Sequence, residues 1–329
     1  MGNCLNSKSI ATDAVVVPTR VKSIAPPPTP TPTTARDPAS VLLANVNVED
    51  ATIPMSQLKV DGRADGYSSA LAPWDAVYDG TYNGARVLLK QMTRRAAAKT
   101  TTDRLVYILR LMLGVRHPNI VQFFGVSWDG DDCICMVTER LDAGDLASVA
   151  AMPEIDLSPI ASVAILLDIA RAMAYLHCQE PKIVHRDLRG ANIHIGQDLR
   201  AKVANLESSV ELGPTPLTAI VGTPVWVAPE IMRGTAYDEK VDIYSFAMVI
   251  VELLNREAPF ASVPRDEKAQ LLRQVAFEHR RPTIRNEAAW PPSLLQLLRA
   301  CWASDPTMRP SFVRIMDCLE MILADLCAR

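Results

Sequence analysis

The chain predicts an α+β fold, and three observations carry that expectation. Val77, Tyr78, Arg86, Val87, Leu88, Leu89 and Lys90 read as two antiparallel strands, because Asn83-Gly84 between them is a pair that accepts the positive φ angles of a tight hairpin. Asp103 to Leu113 has the apolar repeat of a helix with one buried face. With 329 residues, 49% hydrophobic and 22% charged, the chain is long enough to bury the core of one large domain.

Composition narrows the function. A formal net charge of -3 argues against nucleic acid, which calls for a concentrated positive surface. Cys4, Cys133, Cys135, Cys178, Cys301, Cys318 and Cys327 lack the paired spacing of a zinc site, so buried or free thiols in a reducing compartment are expected. The best apolar run, Tyr244 to Val251, stops at Glu252, short of the roughly 18 residues a membrane helix needs. The chain is therefore expected not to span a bilayer.

The first residues suggest attachment to one instead. Met1-Gly2-Asn3-Cys4-Leu5-Asn6-Ser7 resembles an N-myristoylation start, with Gly2 as the acylated residue and Cys4 placed for palmitoylation, although Ser7 stands one place late and Asn6 takes its position. Myristate alone holds a membrane only marginally, so Cys4 matters as the second anchor and Lys8 as an electrostatic helper. An accidental Met-Gly start is the alternative. The expected location is the inner face of the plasma membrane. Pro18 to Pro38 is rich in Pro and Thr and too poor in large apolar side chains to fold alone. Residues 1–64 are expected to be a disordered tail, with ordered structure from Asp65 to the C-terminus.

His185-Arg186-Asp187-Leu188-Arg189-Gly190-Ala191-Asn192 matches the H-R-D-L-x-x-x-N loop of phosphoryl transfer, in which the Asp orients the attacking hydroxyl and the Asn holds magnesium. Other motifs follow it in order: Met136-Val137-Thr138-Glu139-Arg140-Leu141, Gly222-Thr223-Pro224-Val225-Trp226-Val227-Ala228-Pro229-Glu230, Lys240-Val241-Asp242 and Asp305-Pro306-Thr307-Met308-Arg309-Pro310. Together they resemble the eukaryotic protein-kinase domain over nearly all of the chain from Asp65. The resemblance implies a bilobal kinase fold, with a small β-rich lobe carrying one helix and a larger helical lobe. It implies ATP with Mg2+ as cofactors and a protein substrate or partner.

By the same likeness, Asp187, Asn192 and Lys90 are the catalytic set. Val77, Leu88, Lys90, Thr138, Glu139, Leu141, His194 and Asn205 line the nucleotide cleft, and Asn192 with Asn205 forms the metal site. Glu230 with Arg309 would be a buried pair, Asp242 would accept hydrogen bonds from the catalytic loop, and Met112, Phe123, His185 and Leu206 would stack between the lobes. Arg186 would pair with a phosphate on Ser208, Ser209, Thr215, Thr218 or Thr223. Thr223 resembles Ser/Thr kinases and Arg189 resembles tyrosine kinases, a blend similar to the tyrosine-kinase-like group.

Several positions depart from that pattern. Ala204-Asn205-Leu206-Glu207 stands where the family has Ala-Asp-Phe-Gly, and a neutral amide replaces the anionic magnesium ligand. Ala70, Ala72 and Asp75 fall at the three glycines of the phosphate loop, with Trp74 at its tip and Pro73 lacking an N–H donor. Ile108 replaces the glutamate that should orient Lys90, and Asp103 lies too far round the helix to substitute. Leu88 replaces a small alanine over the base, and His194 puts a polar ring beneath it. Glu207 could lend a carboxylate to the metal. The leading expectation is a pseudokinase acting as scaffold or allosteric regulator; the alternatives are a weakly active Ser/Thr kinase and a membrane-tethered adaptor.

Overall fold

The computed structural model describes residues 51–64, 74–93, 102–129 and 133–328. Its N-terminal lobe is a five-stranded antiparallel sheet in the order β1-β2-β3-β5-β4, built from β1 (Leu58–Arg63), β2 (Ala76–Tyr82), β3 (Ala85–Thr93), β4 (Phe123–Asp129) and β5 (Cys133–Glu139). The β2–β3 hairpin turns at Asn83 and Gly84, whose φ angles of 50° and 80° suit the twist of the two strands. Helix α1 (Thr102–Gly114) buries Leu105, Ile108, Leu109 and Met112 in a core shared with Met92, Phe123, Val126 and Met136.

Ordered structure starts before the expected boundary at Asp65. Ala51 and Ile53 are buried, Ile53 N donates to Val126 O at 2.8 Å, and β1 pairs with β2. Gly125 permits this, because a Cβ there would lie 2.1 Å from Ala51 O. Nearly all of β1 is exposed, so its sequence alternates weakly and resembles a linker. Residues 1–50, including the acylation and proline motifs, lie outside the described residues.

The C-terminal lobe is helical: α2 (Leu146–Ala151), α3 (Pro159–His177), α4 (Pro229–Met232), α5 (Lys240–Asn255), α6 (Lys268–Phe277), α7 (Pro292–Cys301) and α8 (Phe312–Cys327). Short strands support the cleft: β6 (Gly144–Asp145), β8 (Ile193–Ile195) and β9 (Ala201–Val203) form one sheet, and β7 (Ile183–Val184) pairs with β10 (Val210–Glu211). This is the expected α+β, two-lobed architecture. Helix α5 is buried from Val241 through Leu254, which explains why its sequence is apolar on every side.

Helix α3 is longer and more apolar than the run at Tyr244 to Val251 and passes a length-and-composition test for a membrane span. Two-thirds of that stretch is packed inside the domain, and Asp168 at its middle is buried with Arg200 bound in fork geometry at 2.7 and 2.8 Å. It is a core helix. Among the described cysteines, Cys178, Cys301, Cys318 and Cys327 are free thiols.

Arg309 and Glu230 form the expected pair, at 2.6 and 2.9 Å, with side chains 0% and 4% exposed. Arg309 also donates to Ala303 O and Lys240 O, so the guanidinium makes four hydrogen bonds. Removing one member strands the other in a dry site, at a cost of about 3–5 kcal/mol. Arg309→Ala is expected to lower unfolding free energy by that amount in urea titration; a loss below about 1 kcal/mol, the range of an exposed pair, would show that the site admits water.

Candidate active site and nucleotide cleft

The catalytic loop connects β7 to β8 and is held from below by α5. Asp242 accepts from the backbone N–H of His185 and of Arg186, each at 2.8 Å, and meets His177 Nε2 at 2.9 Å. Burial alone would raise the Asp242 pKa, yet the His177 hydrogen bond and charge, the nearby His185 and the His185 amide hold it below the ordinary value. Arg186 takes a φ of 67°, a strained conformation that these two bonds fix in place. Asp187 projects into the cleft, accepting from Thr223 Oγ1 at 2.8 Å and from Asn192 Nδ2 at 2.7 Å. Met112, Phe123, His185 and Leu206 are all buried.

Lys90 lies on β3 and is 7% exposed, so it requires a counter-charge. Helix α1 offers none, since Ile108 is buried in the core and Asp103 is exposed at the first turn. The structure supplies Glu207, whose Oε1 lies 2.7 Å from Lys90 Nζ with both side chains 9% exposed. Burial works to raise the Glu207 pKa, but the charge and hydrogen bond of Lys90 outweigh it, so the carboxylate is held below its usual range. Glu207 Oε1 thus serves the lysine, while Oε2 is buried without a hydrogen-bond partner.

Trp74 completes this arrangement and corrects a further expectation. It does not cap a phosphate loop; its ring is 5% exposed in the same core as Ile108, and its Nε1 donates to Glu207 Oε1 at 3.1 Å. Asp75 immediately precedes β2, its backbone N–H donating to Gln91 O. Ala70, Ala72 and Pro73 lie outside the described residues.

Asn205 sits at φ 61°, ψ 56°, a left-handed conformation that Asn tolerates. Its Oδ1 accepts from Lys90 Nζ, and its Nδ2 donates to Asn192 Oδ1 at 2.7 Å. Asn192 donates in turn to both Asp187 O and Asp187 Oδ2. A continuous polar chain therefore runs Glu207–Lys90–Asn205–Asn192–Asp187–Thr223. The two expected metal ligands contribute amide carbonyls only, and each already accepts a hydrogen bond, one of them from an ammonium group. Magnesium takes hard, preferably anionic oxygens in near-ideal octahedral geometry, so the residues present do not fit it. Among the described residues no group of three or more His, Cys, Asp or Glu is arranged for a metal.

In the nucleotide cleft, Leu88 on β3 faces Thr138 across the sheet, and Val77 pairs with Lys90. Glu139, at the end of β5, has its carboxylate bonded to Lys202 Nζ at 2.5 Å and to Gln122 N at 3.0 Å. Leu141 packs with Val121 and Ala204. His194 on β8 is fully buried, and burial, followed by the charges of Lys90 and Arg140, depresses its pKa to about 3. Its imidazole is neutral at physiological pH.

The segment after β9 is gripped by α1. Arg104 Nη2 donates to Glu207 O at 2.5 Å and to Ser209 O at 3.2 Å, while Glu211 N donates to Tyr107 Oη at 2.6 Å. Burial and the neighbouring Arg186 lower the Arg104 pKa. Arg186 donates its Nε to Ser208 O at 2.7 Å. Thr215 and Thr218 are exposed, whereas Thr223 is half-buried and committed to Asp187.

An antiparallel lobe with a buried strand lysine, a catalytic loop suspended from a buried helix, and an ordered segment leading to a Glu–Arg lock define a kinase-type domain. The protein belongs to the protein kinase family: the family model for the protein kinase domain matches residues 76–320. It is 32% identical over 276 residues to a probable serine/threonine-protein kinase, drkD, of Dictyostelium discoideum, covering 83% of this chain and 20% of that protein. It is 32% identical to drkB of the same organism, over 75% of this chain and 35% of the relative. It is also 31% identical to the probable serine/threonine-protein kinase SIS8 of Arabidopsis thaliana, over 84% and 26%. The matched region thus spans only a fifth to about a third of these relatives.

Two measurements check this geometry. Glu207→Gln leaves Lys90 buried without a counter-charge and is expected to cost about 3 kcal/mol in chemical denaturation, most of it recovered in Lys90→Met/Glu207→Leu, where both charges are gone. His194 has a folded-state pKa near 3 against an ordinary value of 6.5, so the unfolded chain binds the extra proton between those values. Its contribution is intact above about pH 6.5 and falls by about 1.4 kcal/mol per pH unit below it. Glu252, pushed up to about 7 chiefly by burial, has the opposite slope from its ordinary 4.5 upward, so the two partly cancel in the parent protein. His194→Leu is therefore expected to gain stability relative to the parent as pH falls from 6.5 to 4.5; a constant difference across that range would contradict the assignment.

Proposed function

We propose that this kinase-family protein is a pseudokinase of the tyrosine-kinase-like group, acting as a scaffold or allosteric regulator of partner proteins with little or no phosphoryl transfer. The observation that supports this reading is the closed polar chain from Glu207 to Asp187, in which the phosphate-binding lysine and both metal-ligand positions satisfy one another. No carboxylate stands at residue 205 to clamp a cation against a triphosphate. Thr223 together with Arg189 supports the group assignment. Acylation at Gly2 and Cys4 would hold the protein at the inner face of the plasma membrane, with the Pro/Thr-rich stretch as spacer.

A second reading, a slow Ser/Thr kinase, draws on one specific observation: Lys90 does have a carboxylate partner, and Thr223 is bonded to Asp187 as if a hydroxyl substrate site were kept ordered. The names of the relatives favour Ser/Thr chemistry for that case.

Purified protein with radiolabelled ATP and magnesium is expected to label neither itself nor a generic basic-protein substrate, and Asn205→Asp alone is expected not to restore transfer. Magnesium-dependent labelling that Asp187→Asn abolishes would establish the second reading instead. For the membrane attachment, a myristate analogue is expected to label the parent and not Gly2→Ala in cells; equal incorporation would remove the anchor.

A further inference from the structure

An ion pair crosses the open side of the cleft, away from the phosphate end. Asp79 stands two residues after Val77 on β2, so both side chains lie on the same face of the strand, and it pairs in register with Leu88 on β3. Arg140 follows β5 in the hinge, where its backbone N–H donates to Arg86 O. Its guanidinium pairs through Nε with Asp79 Oδ1, reaches Oδ2 through Nη2 at 3.4 Å, and donates from Nη1 to the hinge carbonyl Leu141 O at 2.9 Å. The Arg140 and Asp79 side chains are only 13% and 18% exposed. A planar fork that spans a carboxylate and a carbonyl in this way is geometrically specific as well as attractive.

The walls of the slot behind this pair are already dry. Leu88 is 0% exposed, His194 1%, Thr138 2%, Ala204 3% and Leu141 7%. These residues come from the roof, floor, back and hinge, so an entering base would gain little by covering them.

We propose that Arg140 and Asp79 form a latch that closes the base slot from strand β2 to the hinge, so that adenine and similar planar bases are excluded by the protein's own ion pair. This is separate from the loss of the metal site, which concerns other residues at the other end of the cleft. A base must displace the guanidinium from Leu141 O and pull apart a shielded pair of opposite charges before it can reach the hinge peptide. Base binding then scales with the open fraction of molecules.

The test uses fluorescent N-methylanthraniloyl-ATP in EDTA, so that magnesium plays no role. The parent protein is expected to show at most weak binding. Arg140→Ala and Asp79→Ala are each expected to bind at least about tenfold more tightly, equivalent to about 1.4 kcal/mol released by opening the latch. Exchanging the charges, Asp79→Arg with Arg140→Asp, is expected to close the slot again. Arg140→Leu, which keeps the aliphatic bulk, serves if the alanine variants do not fold. Equal affinity of the parent and the folded single variants, whether strong or absent in all, would overturn the proposal.

Discussion

A lysine that is only 7% exposed cannot stay charged without an acid beside it, and that constraint organises this molecule. The usual donor of the acid, the helix beside the sheet, carries Ile108 instead. The carboxylate comes from Glu207, on the segment that follows β9, so the small lobe is joined to the start of that segment directly through the lysine. Ile108 is thereby free to enter the apolar core, where Trp74 also lies with its indole N–H turned to the same carboxylate. Moving one charge by this route accounts for three residues that look unrelated in the sequence.

The neighbouring amides obey the same logic. With an aspartate at position 205 the cleft would hold two acids facing Lys90; with Asn205 the amide accepts from the lysine on one side and donates to Asn192 on the other. An amide has both a donor and an acceptor, which is what a chain linking an ammonium group to a carboxylate requires. Lys90 thus has a carboxylate and an amide oxygen as partners within the protein, while Glu207 Oε2 stays buried without a hydrogen bond.

Much of the framework is legible in the sequence because its signals are local. The Asn83-Gly84 hairpin, the α1 repeat, the catalytic loop, the Glu230–Arg309 pair and Asp242 are short motifs whose chemistry holds wherever they fold. What escapes depends on side chains brought together from distant stretches of the chain. The sequence neighbours of Glu207 suggest a metal ligand, and only the packed cleft puts it on Lys90. Counting from Val77 places Trp74 at a loop tip, a method blind to the direction in which a side chain turns. The first strand is hidden because an exposed edge strand lacks the alternation that betrays a half-buried one. Arg140 and Asp79 are ordinary charges in sequence, and only a scan for opposite charges on β2 and the hinge would pair them.

The hold that α1 keeps on the segment after β9 uses main-chain groups: the carbonyls of Glu207 and Ser209 and the amide of Glu211, met by Arg104 and Tyr107. Every residue has a carbonyl, and every residue but proline an amide N–H, whatever its side chain. The path of this stretch is thus insulated from the identities of Ser208 and Glu211, which leaves evolution at liberty to rewrite them, whereas Arg104 and Tyr107 bear the burden of keeping it in place and Ser209 is buried with its hydroxyl toward His185 O.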